Sequence, residues 1–160
     1  MGVIKSSAAK CAQEIRKELK EKYPTVKFKV VSETFSMGNA VRVSWIDGPP
    51  ENDVEVLIGK WQYGHFDGMQ DMYVHSNRND DLTQVKWVQT TRYYSFKAHK
   101  AVVDLINVKY GISIPYTKKW CEYYKRDELE VTDNSYIERM QLYPHQLIYQ
   151  ESVNINFTEQ

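Results

Sequence analysis

Apolar residues first recur at helical spacing: Ala8, Ala12, Ile15 and Leu19 fall on one face, and Lys and Glu fill the other. Ser6 or Ser7 stands where an N-cap is needed, and Pro24 ends the pattern. The period then shortens to two. Val26, Phe28 and Val30 alternate with Lys27 and Lys29, and Val41, Val43 and Trp45 alternate with Arg42 and Ser44. With the turn Ser36-Met-Gly-Asn39 between them, the two runs predict a pair of antiparallel, half-buried strands. After Asp47-Gly-Pro-Pro50, helical spacing returns in Val54, Leu57, Ile58 and Trp61. Pro50 suits the first helical position, and Glu51 and Asp53 complement the positive helix end.

Gly59, Gly64 and Gly68 mark a loop carrying Phe66-Asp-Gly-Met69, with Phe66 and Met69 expected as core plugs. Met72 to Val74 reads as a third strand, Ser76 to Asp81 as a turn and Val85 to Tyr93 as a fourth strand. Ser95 caps a third helix with His99, Val102, Val103, Ile106 and Tyr110 on one side and Gly111 as its stop. Beyond Pro115 the pattern weakens, and Trp120, Tyr123 and Tyr124 fit a helix or a strand equally well. Ser152 to Phe157 alternates cleanly and predicts a C-terminal strand. The expected class is therefore α+β: an antiparallel sheet packed by amphipathic helices, in the order α-β-β-α-β-β, then a helix and a last strand. No repeat or linker interrupts residues 1–160, so one domain is expected.

Charge changes this picture by being segregated. Residues 1–30 carry eight basic and three acidic side chains, residues 47–81 two and eight, residues 86–126 nine and two, and residues 127–160 one and seven. The blocks cancel to a net charge of zero, which argues against both a non-specific nucleic-acid binder and an acidic mimic of nucleic acid. Twelve Tyr and four Trp against five Phe are a surplus of rings with a polar handle, suited to a partly exposed binding face. Cys11 and Cys121 lie in different segments without a Cys-x-x-Cys, as expected of unlinked thiols in the cytoplasm, and no run reaches the length of a membrane span.

The order of elements, Val43-Ser-Trp45, Asp47-Gly-Pro49, Ile58-Gly-Lys60, and above all Phe66-Asp-Gly-Met69 with Asp71 and Tyr73, resembles the twenty-ninth of the numbered large polyvalent protein-associated domains. The resemblance spans roughly residues 8–95 and leaves 96–160 as a C-terminal extension. It implies an origin in a phage, plasmid or conjugative element of bacteria and a role toward the host, and it brings no catalytic residues.

Two constellations carry candidate chemistry. His65, Asp67, Asp71 and His75 have the same parity, so on one strand they would share a face and could hold a divalent metal that activates water. Against that, Asp67 before Gly68 is a natural turn residue. The second constellation interleaves rings with cations: Trp87, Arg92, Tyr93 and Lys97, then Lys118, Lys119, Trp120, Tyr124 and Arg126. Stacking on bases and contacting phosphates needs such residues, and so does anchoring on a protein. The expectation is a cytoplasmic binding protein acting without catalysis or cofactor, possessing a protein partner and no membrane. Nucleic-acid binding is the alternative, and a metal-dependent nuclease or hydrolase using the His/Asp group is the third reading.

Overall fold

The structure, a computed structural model, describes residues 7–158. In chain order they form α1 (Ser7–Lys22), β1 (Lys29–Phe35), β2 (Gly38–Ile46), α2 (Glu51–Ile58), a 3-10 turn (Gly59–Trp61), β3 (His65–Asp67), β4 (Met72–Val74), β5 (Trp87–Tyr93), α3 (Phe96–Tyr110), β6 (Tyr116–Cys121), β7 (Arg126–Val131) and α4 (Pro144–Ser152). The class is α+β, as the alternating periods predict. Among the described residues no helix is long and apolar enough to cross a membrane.

The packing of the described residues gathers into two compact units: residues 7–45 with 51–92, and residues 46–50 with 93–158. In the first unit, α1 buries Ala8, Cys11, Ala12, Ile15 and Leu19. These pack with Val30, Val41, Val43 and Trp45 of the strands and with Val54, Ile58, Trp61 and Val85. Polar contacts fix the helix in place. Arg16 donates to the Val30 carbonyl at 2.7 Å, and Glu18 accepts the Trp61 indole N–H at 2.8 Å while pairing with Lys60. Ser7 is the first helical residue, and its hydroxyl accepts from the Asn39 amide; Ser6, the other candidate cap, lies outside the described residues.

β1 and β2 form the expected antiparallel hairpin, in register from Lys29 opposite Ser44 to Phe35 opposite Gly38. The ladder starts at Lys29, so Val26 and Phe28 are half-buried residues ahead of the strand. β5 lies against β2 in the order β1-β2-β5 and runs alongside it in the same direction. Lys86 N–H donates to Asn39 Oδ1 before its start, Arg42 to Gln89 midway, and Asp47 N–H to Tyr93 O at its end. This pair departs from the antiparallel sheet expected, because the long connection through α2 returns the chain to the same end of the sheet.

Residues 65–69, expected as loop, open with strand β3, which pairs antiparallel with β4 from His65 opposite Val74 to Asp67 opposite Met72. Tyr73 anchors this hairpin. Its hydroxyl donates to the Lys86 carbonyl at 2.5 Å, and its ring meets Tyr63, His75 and Trp87 edge-on.

The second unit has its own core: Ala98, Val102, Val103 and Ile106 of α3, Ile114, Leu147 and Ile148 of α4, and Phe157. Both ends of α3 are closed as predicted. Ser95 Oγ accepts from Ala98 N–H, and Gly111 takes the left-handed conformation at φ 63°. β6 and β7 form an antiparallel hairpin from Tyr116 opposite Val131 to Cys121 opposite Arg126. The segment Ile46–Pro50 belongs to this unit. Asp47 and Gly48 turn it with successive positive φ values of 57° and 65°, and Asp47 Oδ1 accepts the Ser95 N–H at 2.8 Å.

The C-terminal strand expected at 152–157 is absent. Ser152 closes α4, and the chain beyond it is irregular. Burial still alternates there, with Val153, Ile155 and Phe157 more enclosed than Asn154 and Asn156. Alternation reports which way side chains point, whereas a strand also needs a ladder, and the bond from Phe157 N–H to Gly48 O does not make one.

Candidate functional site

The His/Asp constellation is dispersed by the hairpin that contains it. Residues opposite each other in an antiparallel pair share a face. His65 and Asp67 therefore lie with Val74 and Met72, while Tyr73 and His75 take the other side with Phe66. The parity argument fails because the turn at Gly68–Asp71 intervenes, and Asp71 is itself a turn residue at φ 50°. Three of the four already have local work. Asp67 Oδ1 accepts the N–H groups of Met69 and Gln70, His65 Nδ1 pairs with Ser76 Oγ, and the His75 ring packs on Tyr63. Among the described residues no three His, Cys, Asp or Glu side chains gather as metal ligands.

The aromatic–basic constellation divides between the units. Trp87 is half-buried against Tyr73, and Arg92 is 8% exposed, so these two β5 residues offer little surface. Tyr93, Lys97, Lys118, Lys119, Trp120, Tyr124 and Arg126 fall in the second unit. There the β6–β7 hairpin brings most of them together. Arg126 lies between two rings, its guanidinium 5.1 Å from the Tyr93 centroid and 4.7 Å from that of Tyr124. Its Nε is buried without a hydrogen-bond partner among the described residues, so the ring faces hold the cation. Lys97 is exposed on the first turn of α3, and Lys118 reaches over the Phe96 ring at 5.6 Å.

All four hairpin cations are ion-paired within the hairpin. Lys118 meets Asp127 at 3.4 Å, Lys119 meets Glu130 at 2.5 Å, Arg126 meets Glu128 at 3.2 Å, and Lys125 meets Glu122. Exposed pairs of this kind add about 0–1 kcal/mol each. Their larger consequence is electrostatic, because four cations facing four carboxylates leave no net charge to attract a phosphate backbone. What remains unmasked is aromatic: Tyr123 is 86% exposed and Trp120 is 55% exposed, with the Tyr124 ring edge-on to Tyr123 at 4.8 Å. Sequence reasoning did not select Tyr123. The signal available was its place in the Glu122–Lys125 segment, which has the length of a hairpin turn.

His99 lies behind this site, stacked on Tyr94 at 4.9 Å. Burial holds its imidazole below the ordinary value; the facing carboxylates of Asp47 and Glu128 pull upward, and Arg126 adds to the lowering. The fold therefore favours the neutral ring. The stability it contributes is complete above about pH 6.5 and is lost as acidification passes from that value through the lower folded one. Melting temperatures from pH 7.5 down to about 5 should fall less for His99→Gln than for the parent. Parallel curves would contradict a buried neutral imidazole. Both thiols are free: Cys11 is buried, with burial pushing it up to about 12 and Glu14 adding to the rise, and Cys121 is half-buried on β6.

Fold and surface together define a small α+β protein whose exposed chemistry is aromatic where its sequence looked basic. The family model of the large polyvalent protein associated domain 29 matches residues 6–100, and the chain belongs to that family. No curated protein and no solved structure matches it.

Proposed function

We propose that the chain is a non-enzymatic binding module of a bacterial mobile genetic element. On this reading it works in the cytoplasm and docks on a protein partner through the tip of the β6–β7 hairpin. Trp120, Tyr123 and Tyr124 are the anchors, with Tyr93 and Arg126 stacked behind them and Lys97, Lys118 and Lys119 around them. The observation that carries this reading is the pairing of every hairpin cation with a carboxylate beside exposed rings. Large rings and an Arg with few competing charges are the composition of interface hot spots. A host protein, in particular a defence component, is the class of partner that a mobile element has reason to engage.

A photo-crosslinking residue placed at Tyr123, in cells of a bacterial host, tests this. The expected result is one discrete crosslinked protein that disappears when Trp120 and Tyr124 are also changed to Ser. Labelled DNA and RNA should show no retardation at low salt. Salt-sensitive retardation instead would transfer the hairpin to nucleic-acid recognition.

A further inference from the structure

The β3–β4 hairpin inverts the expectation for Phe66-Asp-Gly-Met69. Its apolar members are exposed, Phe66 at 50% on the face it shares with Tyr73 and Met69 at 98% in the turn, while Asp67 is spent on the turn's own N–H groups. The support beneath is stiff. Gly64 lies against the Val74 carbonyl and the Tyr73 ring, and Tyr73 is bonded to the Lys86 carbonyl. Lys86 also ties in the neighbouring β1–β2 turn. Its ammonium donates to the Met37 carbonyl at 3.0 Å and sits 5.1 Å from the Tyr73 ring, which brings the 79% exposed Met37 beside the hairpin. A rigid tip presenting Phe and unbranched Met side chains has the chemistry of an adaptable apolar docking surface.

Charge decides what fits it. Between Gly64 and Leu82 stand four carboxylates, Asp67, Asp71, Asp80 and Asp81, against one cation, Arg78, which is paired with Asp80 at 3.0 Å. Lys86, bonded to the Met37 carbonyl and lying over the Tyr73 ring, is a second cation, and residues 64–86 still carry four carboxylates against two. We propose that this tip is a second docking surface whose occupant is a basic amphipathic segment of another protein. Its apolar side would seat on Met69 and the exposed part of the Phe66 ring, and its cations would lie beside Asp71 in the turn.

The test is fluorescence anisotropy of a labelled amphipathic Leu/Lys peptide titrated with the full chain, beside a Leu/Glu peptide of the same pattern. Saturable binding of the Leu/Lys peptide alone is expected. Met69→Ser, whose side chain touches almost nothing, should weaken it about tenfold, the scale of a truncated hot spot. Phe66→Ser should do the same and Asp71→Asn should weaken it less, while Val56→Ser, exposed on α2, should leave it unchanged. No saturable binding, equal affinity for the Leu/Glu peptide, or binding unmoved by Met69→Ser would each overturn the proposal.

Discussion

Gly64→Ala is expected to destabilise the first unit by about 3 kcal/mol, at the upper end of what overpacking costs. A Cβ at this position would stand 2.1 Å from the Val74 carbonyl oxygen and 2.6 Å from Tyr73 Cε1. The first obstacle is backbone and cannot rotate aside. Relief requires the β3–β4 ladder to part or Tyr73 to leave its bond to Lys86 and its ring neighbours, and either change loosens the surface that presents Phe66 and Met69. Urea denaturation measures the loss, and near-UV circular dichroism reports the tyrosine cluster. Gly68→Ala is the matched comparison, since no atom lies within 4 Å of its added carbon; it should change stability by no more than about 0.5 kcal/mol. Equal stability of the two variants would show that the Gly64 contact is not tight.

Trp45→Ala should cost about 3–5 kcal/mol, the range for deleting a large aromatic side chain from a core. Trp45 is among the largest fully enclosed side chains and meets the Phe28 ring at 5.4 Å. Removal leaves a hole between α1 and the sheet that β-strand backbone cannot collapse to fill. A domain of this size has about 5–15 kcal/mol in total, so the variant should be poorly folded at 37 °C. Trp45→Phe keeps most of the volume and should recover over half of the loss in denaturant midpoints. A cost for Trp45→Ala below about 1 kcal/mol would mean that the ring does not organise this core.

Much of this fold was legible because its periods are clean. The stripe from Ala8 to Leu19 and the caps Ser95 and Gly111 each carry a local physical instruction. The β6–β7 hairpin was not legible, since Lys118, Lys119 and Trp120 are all exposed and no alternation marks the strand. What aligns that hairpin is the backbone ladder, with ion pairs between partners several residues apart across it, and a one-dimensional pattern displays neither. The same limit applies to the candidate sites. Rings and cations could be read as a group at Trp87–Lys97 and Lys118–Arg126, but their neutralisation by Asp127, Glu128 and Glu130 depends on register. For His65, Asp67, Asp71 and His75, parity counted along the chain gave the wrong face because the chain reverses between the second and fourth of them.

The five residues Ile46–Pro50 sit near the middle of the family's span yet fold with residues 93–158. Asp47 is held by Ser95 and Tyr93, Gly48 receives the N–H of Phe157, and Gly48, Pro49 and Pro50 are all buried. A chain ended at Arg92 would keep the Asp47-Gly-Pro-Pro50 sequence and lose these partners. The inherited module and the folding module therefore have different borders. Replacing everything after residue 100 would take Phe157 from the Gly48 carbonyl while leaving the family-matched residues in place.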